Sequence, residues 1–406
     1  MIFSLAAAAL LAQEPDIIVT GRGLDAALGE AAYDVTEIGR ERLDHSASNR
    51  LEDVLRDVPG FQQFRRSDAR TANPTSQGAT LRALGGNASS RALLTLDGVP
   101  QSDPFGGWIS WPAYEPRRLA RIRVVRGGGS GADGPGALAG TIALESNLTT
   151  PAASLAYGSR DSVDSFLAYG GRVGAGHAGI SASYAQGDGF VPVVARQRGA
   201  ADRTSPYRQA SVAARALAPL GETVELQTNL SAFTDERERG TAFSAIATRG
   251  ADASLRLVGG GALPLAALAY VQVRDFANQF AALSADRATA TQTLDQYHVP
   301  SIGLGARVEI RPVTGALEVR LGADGRRTEG RTQELFQFVA GSATRGRVAG
   351  GRTLALGAFA EAGWTRGPLT LTAGGRLDRW RIDGGFLRER TLATGAALTA
   401  IAFPDR

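Results

Sequence analysis

Leu93-Leu94-Thr95-Leu96-Asp97-Gly98-Val99-Pro100 is the stretch on which the reading of this chain turns. An apolar run, Ala92 to Leu96, runs into Asp-Gly, and a second, Ile122 to Val125, runs into Arg126-Gly127. Short apolar runs closed by glycine-containing turns read as buried strands. Asp bonds readily to nearby backbone and Gly accepts positive φ, so Asp97 and Gly98 are expected to form a tight turn of a folded domain rather than to hold a ligand.

Outward from this stretch the chain has two rhythms. Between Tyr33 and about Ser146 helix and strand signals mix in an α+β pattern. Leu51, Val54, Leu55 and Val58 fall at i, i+3, i+4 and i+7, which predicts a short helix ended by Pro59-Gly60. Past Pro151 the period becomes two. Val224, Leu226, Thr228, Leu230 and Ala232 alternate with Glu225, Gln227, Asn229 and Ser231, and similar rows start at Leu317 and Leu369. Successive strand residues face opposite sides, so these strands have one apolar and one polar face. About twelve are expected, near 153–159, 162–172, 177–187, 207–217, 223–234, 250–260, 264–276, 300–311, 315–327, 351–364, 369–382 and 391–402. Most exceed the roughly 9 to 11 residues that a tilted strand needs to cross a bilayer. Short turns such as Ala218 to Gly221 alternate with long polar connections, 188–206, 281–299 and 328–350, as in an outer-membrane barrel. A soluble β-sandwich has the same alternation.

Composition narrows the function. Glycine accounts for 51 of 406 residues, about 13% against a usual 7% or so, which suits closely spaced strands. There is no cysteine, as suits a chain that crosses an oxidising periplasm, and no lysine, which excludes a phosphate-binding P-loop. A net charge of +4 without a basic block gives no support for nucleic-acid binding. Ile2 to Ala12 is a short apolar run ending in small residues and reads as a signal peptide, while no segment reaches the 18 or so apolar residues of a membrane helix. His45, His177 and His298 have no metal-ligand spacing, and Gly127 to Gly131 fails the nucleophile-elbow pattern because position 132 is Ala. Asp235-Glu236-Arg237-Glu238-Arg239 is expected in an outer loop as a solvated charge cluster. No catalytic residue, metal set or cofactor is therefore expected, and the chain does not read as an enzyme.

Four pieces resemble, in order, the TonB-dependent outer-membrane receptors. They are Asp16-Ile17-Ile18-Val19-Thr20, Leu51 to Phe61, Leu81-Arg82 through Pro100 to Trp108, and Leu119 to Gly127 with Ala137 to Ile142. The third and fourth resemble the family's plug domain. One departure is Ala132-Asp133, standing where family members usually carry an aromatic before a glycine. The resemblance implies an α+β plug domain followed by an antiparallel transmembrane β-barrel, incomplete at about twelve strands. The expected division is a signal peptide at 1–12, TonB box and linker at 13–32, plug at 33–150 and partial barrel at 151–406.

It further implies that Asp16, Ile17, Ile18, Val19 and Thr20 form a TonB box, an extended segment able to add a strand to a partner's sheet. Arg82 and Arg126 would be plug arginines facing carboxylates on the barrel wall. The implied partners are the TonB-ExbB-ExbD complex, outer-membrane lipid and a small extracellular ligand such as a siderophore, cobalamin or glycan. A family barrel has about 22 strands around its plug, so roughly ten are expected to be missing, as in a gene fragment, half of a split receptor or a smaller self-closing barrel. The carboxylate partners of Arg82 and Arg126 are expected in that missing part. The rival reading is a passive porin, which conducts through a water-filled lumen and needs no plug.

Overall fold

The structure is a computed structural model and describes residues 21–406 other than 28–29, 31, 66, 83–88, 128–130, 148–150 and 262. The expected signal peptide and TonB box lie outside the described residues.

The plug is built on a five-stranded sheet. In chain order its strands are β1 (Asp34–Gly39), β2 (Gln62–Gln63), β3 (Ala79–Thr80), β4 (Leu93–Leu96), β5 (Val99–Pro100), β6 (Leu119–Arg126) and β7 (Gly140–Ser146). The sheet order is β1-β6-β7-β4-β5, with β2 and β3 paired separately. Two short helices, α1 (Arg40–Asp44) and α2 (Leu51–Val54), pack beside it, and a 3-10 turn at Leu55–Asp57 carries α2 into the Pro59-Gly60 turn. Leu51, Val54, Leu55 and Val58 are all buried, so the apolar stripe holds although the regular α-helix lasts only one turn. They join Leu94, Trp111, Leu119, Ile122, Val124, Ile142 and Leu144 in one dry core. So short a helix is held by this packing and not by its own propensity.

The wall is one antiparallel sheet that follows chain order from β8 to β20. Its strands are β8 (Ala152–Gly158), β9 (Ser162–Val173), β10 (Gly176–Gly187), β11 (Tyr207–Pro219), β12 (Val224–Arg237), β13 (Ile246–Gly259), β14 (Leu265–Leu283), β15 (Ala290–Ile310), the two-residue β16 (Val313–Thr314), β17 (Leu317–Val339), β18 (Ser342–Arg366), β19 (Leu369–Thr391) and β20 (Ala397–Ala402). Among the described residues β8 and β20 do not pair with each other, so the sheet is open and the self-closing small barrel is set aside. The outward face carries Ile180, Leu230, Leu255, Leu304, Leu356 and Leu377, each at least 45% exposed, while the residues between them turn toward the plug. A soluble sandwich would bury that apolar face; here it forms the band that a bilayer covers.

Two expectations fail at the strand ends. The connections expected at 281–299 and 328–350 are mostly strand: β14 runs to Leu283, β17 to Val339, and the turn before β18 is two residues long. The cluster at 235–239 is not a solvated loop either, because Asp235 and Arg237 end β12 and are buried. Asp235 and Arg237 are covered because Arg237 reaches inward to the plug's Ala72 carbonyl at 2.9 Å, whereas the strand extensions have another cause. Beyond the bilayer both faces of a strand are wet, so polarity on both sides marks where the membrane stops and not where the strand does. On β17 the outward row changes from Leu317, Val319, Leu321 and Ala323 to Arg327, Glu329 and Arg331, and on β19 from Leu369, Leu371 and Leu377 to Arg379 and Arg381.

Candidate functional site

The seam between plug and wall is the candidate site, and it begins at the Asp97-Gly98 turn. Leu96 pairs with Val99 across it, and φ is positive at both central residues, 50° at Asp97 and 88° at Gly98. That geometry suits a two-residue hairpin loop whose twist matches its strands, and it explains the Asp-Gly pair. The Asp97 carboxylate is buried and accepts from the Ser146 backbone N–H at 3.0 Å and the Ser146 hydroxyl at 2.6 Å. Arg215 of β11 stands 3.7 Å away. The turn is thus also a buried anion beside the wall, a role that local turn chemistry does not reveal.

From there the wall donates to the plug's main chain. Gln227 donates to the Arg22 carbonyl at 2.8 Å, Gln272 to that of Pro100 at 2.8 Å, Arg237 to that of Ala72 at 2.9 Å and Arg307 to that of Ala132 at 2.6 Å. Arg326 reaches the Ser102 carbonyl at 3.3 Å, and Arg376 that of Gly131 at 3.4 Å. Arg215 takes the carbonyls of Gly21 and Ser146, and Arg311 that of Asp25. Glu309 orients part of this set, accepting from Arg307 at 2.8 Å, Arg311 at 2.6 Å and Arg320 at 2.7 Å. The missing aromatic at Ala132 leaves no gap, since Ala132 is buried and its carbonyl is bound. In the other direction the plug's Asn49, Arg70 and Arg117 reach Asp164 of β9 at 3.0, 3.2 and 3.1 Å.

Arg82 and Arg126 do not carry this seam. Arg126 donates to the Asp34 carboxylate and, at 3.1 Å, to the Pro59 carbonyl, both within the plug. The β1–β6 register sets Asp34 opposite Arg126, so a partner is supplied before any wall is needed. Arg82 is exposed and has no ion pair among the described residues. Neither meets a carboxylate of strands β8 to β20. Sequence reasoning missed the seam donors because an inward Arg or Gln of a barrel strand looks like any other polar position in an alternating row.

At the opposite, long-loop end, the plug presents the turn 103–107. Asp103 is buried and its Oδ1 accepts from the backbone of Phe105 at 2.9 Å and Gly106 at 2.7 Å, while burial pushes its carboxyl above the ordinary value. Trp108 packs on Phe276 of β14 with ring centres 4.9 Å apart. Asp202 ties the 188–206 loop to Arg287, whose Nε lies 2.8 Å from it, and hydrogen bonding to that guanidinium lowers its carboxyl to about 2. A cavity of about 700 Å³ at this end is lined by Asp161, Asp188, Glu236, Glu238 and Asp295 against Arg208 and Arg237. No group of three or more His, Cys, Asp or Glu residues that could hold a metal ion occurs among the described residues.

Comparison with known proteins agrees with this geometry. The family described as TonB-dependent Receptor Plug Domain matches residues 27–141. No curated protein matches the sequence. Among solved structures, the ferric yersiniabactin uptake receptor FyuA from Yersinia pestis is 14% identical with a TM-score of 0.69, covering 92% of this chain. The copper transporter OprC is 19% identical with a TM-score of 0.67, covering 92% of this chain and 58% of its own, and the ferric citrate transporter FecA is 14% identical with a TM-score of 0.65, covering 93% and 59%. The chain spans about 60% of the length of FyuA. An outward apolar band around a matched plug places the protein in the cell outer membrane. Residues 27–141 thus match the plug domain of TonB-dependent receptors, and the chain as a whole has the fold of such a plug seated in part of a receptor barrel.

Proposed function

We propose that the protein takes part in energised import of a small extracellular ligand, drawn inward when the TonB-ExbB-ExbD complex pulls on a box at Asp16 to Thr20. The observation that carries this reading is a plug whose hydrophobic core takes only Phe233 from the wall and which is bonded along the wall's inner face, an element that a passive pore does not need. FyuA, OprC and FecA are described as handling ferric yersiniabactin, copper and ferric citrate, which supports a metal complex as the ligand class. The work is binding and mechanical release, with no covalent step. A strain expressing the receptor without residues 16–20 should lose ligand uptake while keeping the protein in its outer membrane. Uptake at the full rate would instead identify a passive porin.

A further inference from the structure

Three of the wall's donors converge on one short stretch of the plug, residues 21–25, immediately after the expected TonB box. Arg215 donates to the Gly21 carbonyl, Gln227 to that of Arg22 at 2.8 Å, and Arg311 to that of Asp25. All three stand near the end of the wall where the turns are short: Arg215 precedes the β11–β12 turn, Gln227 follows it, and Arg311 opens the turn after β15. Short turns mark the periplasmic side of an outer-membrane barrel, which is the side from which TonB pulls.

The stretch is fitted to this place. Gly21 has φ of 53°, and a side chain there would put its Cβ 2.8 Å from Leu217. A Cβ on Gly23 would stand 2.2 Å from the Arg256 guanidinium. Both glycines let the main chain lie directly on the wall, so the bonds run to carbonyls with no plug side chain between. Arg215 is 8% exposed and also takes the Ser146 carbonyl, 3.7 Å from the Asp97 carboxylate at its nearest. One guanidinium therefore joins the start of the plug, its central hairpin turn and the end of its last strand.

We infer that Arg215, Gln227 and Arg311 form a three-point main-chain clamp, and that Arg215 is the positioning residue that holds the plug's leading segment until it is pulled. Calling the segment the entry point of TonB's load rests on the proposed import. The clamp itself does not, so it is tested without TonB or ligand. The chain has no lysine, so trypsin cuts only after arginine, and the Arg22–Gly23 bond lies inside the clamp.

The experiment is limited trypsin digestion of the full chain in detergent, following the fragment that ends at Arg22 by mass and checking the barrel by heat-modifiable migration. A bond whose own carbonyl is held by an amide and whose flanking carbonyls are held by two guanidiniums is cut only from an opened state, so Arg215→Met should speed this cut by about tenfold or more, and Gln227→Ala and Arg311→Met by a few-fold each. Gly23→Val, which crowds Arg256, should speed it too. Arg208→Met, at the far rim, should leave it unchanged. If Arg215→Met does not fold, Gln227→Ala, which removes no charge, decides the matter. Cutting at the wild-type rate in every clamp variant, or rapid cutting in the wild type, would overturn the clamp.

Discussion

The plug's core is held by carbon on carbon; along its seam with the wall most contacts are guanidinium or amide on carbonyl, with Phe233 and the Trp108–Phe276 pair as apolar exceptions and Asp164 as a carboxylate one. The interior gathers Leu51, Leu55, Leu94, Trp111, Leu119 and Ile122, each at most 2% exposed, around a single sheet. The seam spreads its bonds along the full height of the wall, from Gly21 and Asp25 at one end to Ala72 and Ser102 toward the other. Burial of the first kind is cooperative, at roughly 25 cal/mol per Å² of apolar surface, whereas a single seam bond contributes only about 1 to 3 kcal/mol net. A load applied at the plug's start therefore separates plug from wall one bond at a time before it opens the core. Main-chain acceptors add to this, because a carbonyl that leaves one donor can accept from water at once.

The comparison breaks most readily at Trp111. Its ring packs edge-on against Phe61 with centroids 6.1 Å apart, and its indole N–H donates to the Gln77 carbonyl at 3.0 Å. Trp111→Ala should cost the plug about 3 to 5 kcal/mol by leaving a hole and an unbonded carbonyl. Hydrogen exchange at the β6 amides of the full chain measures it; protection unchanged by the substitution would mean that the wall, not the core, holds the plug's fold. A smaller effect is expected at the seam. Asp97→Gly keeps the positive-φ turn but removes the acceptor of both Ser146 bonds, and should cost about 2 to 3 kcal/mol, read at the Ser146 amide. A loss as large as that of Trp111→Ala would erase the distinction between core and seam.

The same contrast decided what could be read from the sequence. Plug core positions were legible because apolar residues repeat at fixed spacings, as Leu51, Val54, Leu55 and Val58 do, and the Asp97-Gly98 turn because its chemistry is local. The lower halves of β17 and β19 were legible from their apolar alternation, and the upper halves were not, since water on both faces removes the pattern. The seam was the least visible. A main-chain carbonyl has no letter in the sequence, so Gly21, Ala72 and Ala132 give no sign of being acceptors, and Arg215 or Gln227 gives none of being the donor. Arg126 had a letter that suggested a wall contact, yet β-sheet register gave it Asp34.

Glu52 tests the boundary between the two kinds of contact. It sits in the first turn of α2, is 2% exposed, and its Oε1 has no hydrogen-bond partner among the described residues. A cavity of about 40 Å³ beside it is shared with Asn49 and Arg70 of the plug and Asp164 of the wall. Burial pushes its carboxyl up to about 7 from 4.5, with Arg50 only partly offsetting the shift. A carboxyl whose folded value is raised favours the folded plug fully when it is protonated in both states, below about pH 4.5, and that advantage is lost as pH rises toward and through 7. Glu52→Gln removes the titration. Because the variant does not titrate, the whole pH dependence of the difference is the parent's: relative to the parent it should be neutral near pH 4 and should stabilise the plug by about 2 kcal/mol or more at pH 8. Comparing β6 amide protection in the two proteins at both pH values gives the answer. A difference that does not change with pH would mean that water and Arg50 already satisfy the ionised carboxylate, and the wet seam would then extend one turn deeper into the plug than its contacts indicate.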